Sequence, residues 1–347
     1  MTIAGTVAGT NAPQKPTNNA KTWETVRYWL VAQRGIGLAI LLFVIMFGLY
    51  GLKQEVGLSP GIINTAANKG ALLALVAMAQ TIPVLTGGLD LSVGMIFLMT
   101  NCLASVIVNG DPIQTTLGVI GVLLAGIACG ALNGIIVVYG RLQPIVVTLA
   151  TSSVYYGISL ILRPEPGGSV NFDLAAFMTS SIYNVPVSVL LLLAVVLFVW
   201  IPYRRSVLGR AALAVGSSEQ AAFMSGVPID RAKLLAYILS GFLASVAGLM
   251  LTFLTYTGLA KAVIGADYTL NSIAAVVIGG TSLFGGVGSA IGSIFGAYVL
   301  KTVGDLLIVF DINPVLQPLF VGLVLLAAVS LGSLRLLRIK NKLDLYR

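Results

Sequence analysis

The sequence predicts an all-α, polytopic integral membrane protein with about ten transmembrane helices, broken or re-entrant segments, and both termini cytoplasmic. Three observations carry this. Of 347 residues, 57% are hydrophobic and only 9% charged, with a mean hydropathy of +0.98. A water-soluble domain carries roughly 25% charged residues. Apolar runs such as Gly35–Leu52 and Val187–Ile201 recur along the chain at lengths that suit a bilayer. The basic residues, which give a net charge of +8, cluster at the two ends and in one internal loop. That pattern follows the positive-inside rule and argues against a nucleic-acid surface.

Taken in order, residues 1–28 read as a cytoplasmic tail, polar from Met1 to Asn19 with Pro13 and Pro16. The first apolar run begins near Trp29 without a small-residue cleavage site, so it is no secretory signal. Residues 29–334 form the membrane domain. Its spans are Gly35–Leu52, Gly61–Ala79, Leu91–Val108, Thr115–Val138, Ile145–Leu162, Val187–Ile201, Leu234–Tyr256, Leu270–Leu283, Gly288–Val309 and Val315–Leu334. Between the second and third, Gln80–Asp90 is interrupted by Pro83, Gly87 and Gly88 and reads as a break within the membrane. Residues 335–347 form a basic cytoplasmic tail.

With both ends inside, 15 of the 20 basic residues face the cytoplasm, namely Lys15, Lys21, Arg27, Arg34, Arg141, Arg204, Arg205, Arg210, Arg231, Lys233, Arg335, Arg338, Lys340, Lys342 and Arg347. Lys53, Lys69, Arg163 and Lys261 fall outside, and Lys301 lies within a span. The longest cytoplasmic loop is 202–233. Within it Ser217-Ser218-Glu219-Gln220 reads as a capping box, Ser217 to Gln220, and Gly226 and Pro228 close a short helix. Too short to persist alone, that helix docks either on this chain's own spans or on a partner. The external loop 163–186 is polar and Gly/Pro-rich, a connector or a docking surface.

The inventory excludes much chemistry. Without histidine there is no imidazole triad, relay or His-ligated metal. Cys102 and Cys129 lie in apolar runs and form no CxxC. No GxxxxGK[ST] occurs, so the chain carries no phosphate-binding loop of that kind. No catalytic or metal-binding set is expected, and the chain is not read as an enzyme.

Several motifs then point to one family. Thr86-Gly87-Gly88-Leu89-Asp90-Leu91-Ser92-Val93-Gly94, Pro144-Ile145-Val146-Val147-Thr148-Leu149, and Gly209-Arg210 with Ala214-Val215-Gly216, Ala221-Ala222 and Ser225-Gly226-Val227 appear in order. Ile273 to Leu283, then Gly285-Gly286 and Gly288, complete the series. This series resembles the ribose-type (monosaccharide) permease subunits of bacterial ABC importers, from about Ser59 to the last span. Three positions depart from the family pattern: Tyr268-Thr269-Leu270-Asn271-Ser272 lacks an acidic pair, Gly304-Asp305-Leu306 replaces an Asn-rich run, and Tyr155-Tyr156-Gly157 replaces Arg-Gly.

The resemblance implies a permease for a monosaccharide or related polyol in a bacterial inner membrane. It would pair with a second permease copy, identical or paralogous, and with ABC ATPase subunits that bind ATP and Mg. A periplasmic substrate-binding protein would feed it, and no cofactor would be held by this chain. It further implies that the short helix is the ATPase-coupling element, assigned here to Gly209, Arg210, Gly216, Ser217, Ser218, Glu219, Ala221, Ala222 and Gly226. A branched-chain amino-acid permease and an ion-coupled secondary transporter are the competing functions, the latter needing an intramembrane carboxylate such as Asp90 or Asp305.

Candidate path or gate residues follow from the cost of polar groups at membrane depth. Asp90, with Ser92 behind it, caps a helix or gates the path. Lys301 and Asp305 share a helix face at i, i+4 and neutralise each other or line the path. Asn101, Asn133, Thr148 and Asn271 hydrogen-bond between helices or meet sugar hydroxyls, as Gln143 and Thr151 also can. Gly87-Gly88 and Gly279-Gly280, one pair in each half, mark either close packing or paired breaks beside a path.

Overall fold

A computed structural model describes residues 34–54, 57–324, 326 and 330. The expected tails, 1–28 and 335–347, and most of the end of the last expected span lie outside the described residues. The helices are α1 (Arg34–Lys53), α2 (Pro60–Leu85), α3 (Val93–Ile107), α4 (Pro112–Tyr139), α5 (Pro144–Leu162), α6 (Phe172–Thr179) and α7 (Val187–Val195). They continue as α8 (Ile201–Arg205), α9 (Val207–Ser217), α10 (Glu219–Met224), α11 (Ile229–Thr255), α12 (Ala262–Ile278) and α13 (Ala290–Val309). Among the described residues seven helical stretches are long and apolar enough to cross a membrane. The shorter apolar helices α3 and α12, with Pro314–Val324, fall where the other three spans were expected.

Local chemistry sets the ends. Ser59 and Asp111 accept from Ile62 N and Gln114 N, each ahead of a proline in the first turn of α2 and α4. Helix α2 does not stop at Ala79 as the sequence suggested. It runs on to Leu85 through Pro83, which has no N–H to return to the carbonyl of Ala79, and it ends two residues later. The break is therefore Thr86–Ser92. Gly87, at φ +81°, ends α2 in a Schellman turn, with Gly87 N donating to Val84 O and Gly88 N to Pro83 O.

Helix α12 begins eight residues before the expected span, at Ala262. Asp267 and Thr269 dilute the hydropathy there, yet Asp267 is exposed and the Thr269 hydroxyl donates to Gly265 O. The sixth span, Val187–Arg205, contains a π-helical turn at Val196–Trp200. Ile201 N reaches back to Val196 O, a widened turn that admits Pro202 without ending the helix. The loop 163–186 holds α6 and a two-stranded hairpin, β1 (Ser181–Ile182) against β2 (Val185–Pro186), turned at Tyr183 and Asn184 with φ of 48° and 64°.

The core is built around α2, buried from Ala71 to Leu85, which packs on α11, α13 and α12. Helices α4 and α11 approach through backbone: a Cβ on Gly130 would meet the Tyr237 carbonyl, and one on Gly241 would meet Gly126 and Gly130. The outer faces are apolar and open, as at Leu41, Leu124, Ile161 and Phe198, which suits lipid rather than water. Alternation of the spans puts α9, α10 and the 279–289 turn on one side. The 163–186 segment lies on the other.

Candidate functional site

Asp90 is fully buried in the α2–α3 break. Its Oδ1 accepts from Ser92 N at 3.0 Å and Ser92 Oγ at 2.6 Å, and its Oδ2 accepts from Ser240 Oγ on α11 at 2.9 Å. The chain of contacts continues outward. Asn133 Nδ2 on α4 donates to Ser92 Oγ at 2.7 Å, and Tyr155 OH on α5 donates to Asn133 Oδ1 at 3.0 Å. Beside it the Thr148 hydroxyl accepts from Leu91 N at 3.0 Å and donates to Pro144 O at 2.8 Å. Four elements are thus fixed around one carboxylate. A network this fully satisfied in a low-dielectric interior specifies a single arrangement of the break.

Asp90 is therefore more than an ordinary helix cap. Ser92 occupies the N-cap position of α3 without a capping bond, and Asp90 bonds two residues onward and across to α11. The sequence pointed to Asp90, Ser92, Asn133 and Thr148. It missed Ser240, which sits in an apolar run with no local signal, and it marked Tyr155 only as a departure from the family pattern.

The other candidates fall elsewhere. Asn101 joins α3 to Thr252 Oγ1 at 2.8 Å, Thr257 O at 3.2 Å and Leu259 N at 3.0 Å, holding residues 257–259 against the bundle. Asn271 is half-buried on α12 with no hydrogen bond among the described residues. The expected Lys301–Asp305 pair is not formed. Asp305 pairs with Lys69 of α2 at 3.7 Å, while Lys301 Nζ lies over the Tyr268 ring, 4.7 Å from its centroid. Residues on one face share a direction, but the neighbouring helix decides which partner each charge finds. Lys69 lies within α2, inside the expected span Gly61–Ala79.

The 202–233 loop is more ordered than expected. Ser206 caps α9 by accepting from Gly209 N at 3.0 Å; Gly209 is buried and Arg210 exposed. Ser217 ends α9, its hydroxyl donating to Leu213 O at 2.9 Å, so it caps nothing. The cap of α10 is Ser218, which accepts from Ala221 N at 3.3 Å. No capping box forms, because that register places Ala221 where Gln220 was expected to reach back. Gly226, at φ +70°, closes α10 in a Schellman turn.

Glu219 Oε1 meets Lys233 Nζ of α11 at 2.7 Å. Ala222 packs inward, whereas Ala221, Phe223 and Met224 face out, the last two 76% and 87% exposed. Gly216 sits where the two glycine turns meet: a Cβ there would strike Leu85 O and Gly286 N, themselves hydrogen-bonded at 3.1 Å. Between the 202–233 loop and the α2–α3 break lies a cavity of about 320 Å³, lined by Thr86, Gly88, Val215, Glu219, Lys233 and Tyr237 among others.

Comparison with known proteins bears on what this arrangement serves. A family described as "Branched-chain amino acid transport system / permease component" matches residues 62–329. The ribose import permease protein of Bacillus subtilis (strain 168) is 32% identical over 301 residues, 85% of this chain and 90% of that protein. The D-allose transport system permease protein of Escherichia coli (strain K12) is 30% identical over 326 residues, 92% and 95% of the two chains. The fructose import permease protein of Bifidobacterium longum (strain NCC 2705) is 30% identical over 305 residues, 84% and 88%. No solved structure matches.

Proposed function

The chain belongs to the branched-chain amino acid transport system / permease component family, and from that premise we propose that it forms the path for a monosaccharide in an ATP-driven importer. It is a multi-pass membrane permease subunit. Three relatives over most of its length are named for ribose, D-allose and fructose, which favours a sugar over an amino acid. Neutral amides and hydroxyls in the spans suit sugar hydroxyls, which need donors and acceptors but no fixed charge. The proposed setting is a bacterial inner membrane, with both termini, α9, α10 and the 279–289 turn cytoplasmic. The proposed partners are a second permease copy, ATPase subunits that bind ATP and Mg, and a periplasmic binding protein.

The observation that carries this reading is α10. A six-residue helix is too short to hold itself. This one is capped at both ends, pinned to α11 by Glu219–Lys233, and presents Phe223 and Met224 outward. Large apolar side chains exposed on a pinned helix at a water-facing end are a docking face. The ATPase groove is its proposed occupant.

The test uses the assembled importer in proteoliposomes. Phe223→Asp and Met224→Asp should each insert normally yet lose binding-protein-stimulated ATP hydrolysis and uptake, while wild-type uptake of labelled ribose, allose or fructose is ATP-dependent. Full stimulation in both variants would remove the coupling assignment. Uptake of leucine in place of all three sugars would replace the sugar reading with the amino-acid one.

A further inference from the structure

Tyr237 is a buried residue that neither the motifs nor the proposed path uses. Its ring is 1% exposed and packs with Val137 and Val147. Its hydroxyl has no hydrogen-bond partner among the described residues, and the side chain borders the 320 Å³ cavity. A phenol buried with its O–H unpaired is destabilising, and such a group in an otherwise satisfied region needs an explanation.

Its position supplies one. Lys233, Tyr237 and Ser240 stand at i, i+4 and i+7 on α11, along one face. Lys233 holds Glu219, the first residue of α10, at 2.7 Å. Ser240 holds Asp90 at 2.9 Å. Tyr237 lies between these two contacts, its hydroxyl directed at the α2–α3 break. A Cβ on Gly88 would lie 2.6 Å from the Tyr237 hydroxyl oxygen, 3.6 Å from its Cζ and 3.7 Å from Pro144 Cγ.

We propose that Tyr237 is a positioning residue that transmits movement of α10, through the Lys233–Glu219 pair and the face of α11, to the Gly87–Gly88 break and Asp90. Gly88 is required as glycine because any side chain there meets the Tyr237 hydroxyl. In the alternate state of the transport cycle that hydroxyl gains an acceptor on the backbone of the break, so its unpaired condition here is one end of a two-state element. The inference rests on the ATP-driven permease reading above.

The experiment measures sugar moved per ATP hydrolysed by the complete importer with its binding protein. Gly88→Ala should lower uptake by about ten-fold, and adding Tyr237→Phe should return it to the level of Tyr237→Phe alone, a coupling in the range of contacting residues. Only ordinary contact, at the 3.6 Å of Cζ, then faces the new methyl. Tyr237→Phe alone should lower sugar moved per ATP while raising thermal stability, since it deletes an unpaired buried group. Lys233→Glu should also lower the ratio, and the exchange Glu219→Lys with Lys233→Glu should restore it.

A merely structural tyrosine predicts the gain in stability with an unchanged ratio; that result would overturn the proposal. So would a Gly88→Ala defect that Tyr237→Phe leaves untouched. Should Gly88→Ala fail to insert, the Tyr237→Phe ratio and the charge exchange decide alone. Wild-type uptake that persists under vanadate would instead overturn the ATP-driven reading, whatever the variants do.

Discussion

Replacing Asp90 separates an anchoring role from a gating one. The carboxylate accepts three hydrogen bonds, two from Ser92 and one from Ser240, at 2.6 to 3.0 Å and without solvent. Asp90→Ala deletes the acceptor for all three. The Ser240 hydroxyl can rotate toward the carbonyl one turn back on α11, but Ser92 precedes α3 and has no such turn, and its N–H cannot move. The expected loss is about 3–5 kcal/mol, from two strong bonds and one stranded buried donor. Ser240→Ala removes the hydrogen bond to Oδ2 and leaves that buried oxygen without it, so it should cost about 1.5–3 kcal/mol.

Asp90→Asn keeps an oxygen for Ser92 and turns its amide toward the Ser240 hydroxyl, which can accept. It should fall between the two. The assay is thermal or denaturant unfolding of the purified permease in one detergent, with uptake measured on the same preparations. If Asp90→Ala is no less stable than Ser240→Ala, the network is not an anchor and the reasoning fails. If Asp90→Asn is folded but transports nothing, the charge itself acts in the gate.

Two shorter expectations follow. A double-mutant cycle should find greater coupling between Lys69 and Asp305, 3.7 Å apart, than between Lys301 and Asp305, and Lys301→Met should lose only its contact with Tyr268, worth about 0.5–2 kcal/mol. Equal coupling in the two cycles would restore the i, i+4 pair. In a background lacking Cys102 and Cys129, Tyr183→Cys should label from the periplasm in intact cells and Ser218→Cys only after the membrane is opened; labelling of both from one side would refute the topology.

The spans were legible because hydropathy reports them directly, and Thr86-Gly87-Gly88 announced its break. The start of α12 was hidden because Asp267 and Thr269 read as a loop, whereas a threonine that bonds its own i−4 carbonyl costs a helix little. Helical spacing put Lys301 and Asp305 on one face, but the partner of Asp305 comes from α2, remote in sequence. Ser217 and Ser218 are chemically equivalent as caps, and only the end of α9 decides between them. Ser240 and Tyr237 left no trace for the same reason: a single hydroxyl in an apolar helix carries no period and no motif.

The paired glycine breaks show what separates a pattern from its meaning. The sequence offered Gly87-Gly88 and Gly279-Gly280 as equivalents, to be explained by packing or by repetition. Hydrogen bonding aligns them differently. Gly280 N donates to Val277 O and Thr281 N to Val276 O, the same Schellman pair as in α2, with Gly280 at the same φ of +81° as Gly87. Gly87 thus corresponds to Gly280, and Gly88 to Thr281. Packing is served too, since Gly279 faces Gly292 and Gly280 faces Gly35 without room for a side chain.

The two explanations are compatible, and the difference between the breaks becomes informative. In this alignment Leu283 stands opposite Asp90, so only the first break carries a carboxylate and its network. The turns meet through Gly286 N and Leu85 O beneath Gly216 of α9. The first break is tied through the buried carboxylate, whereas the second is tied by Ser289 N donating to the buried Thr281 hydroxyl at 3.2 Å.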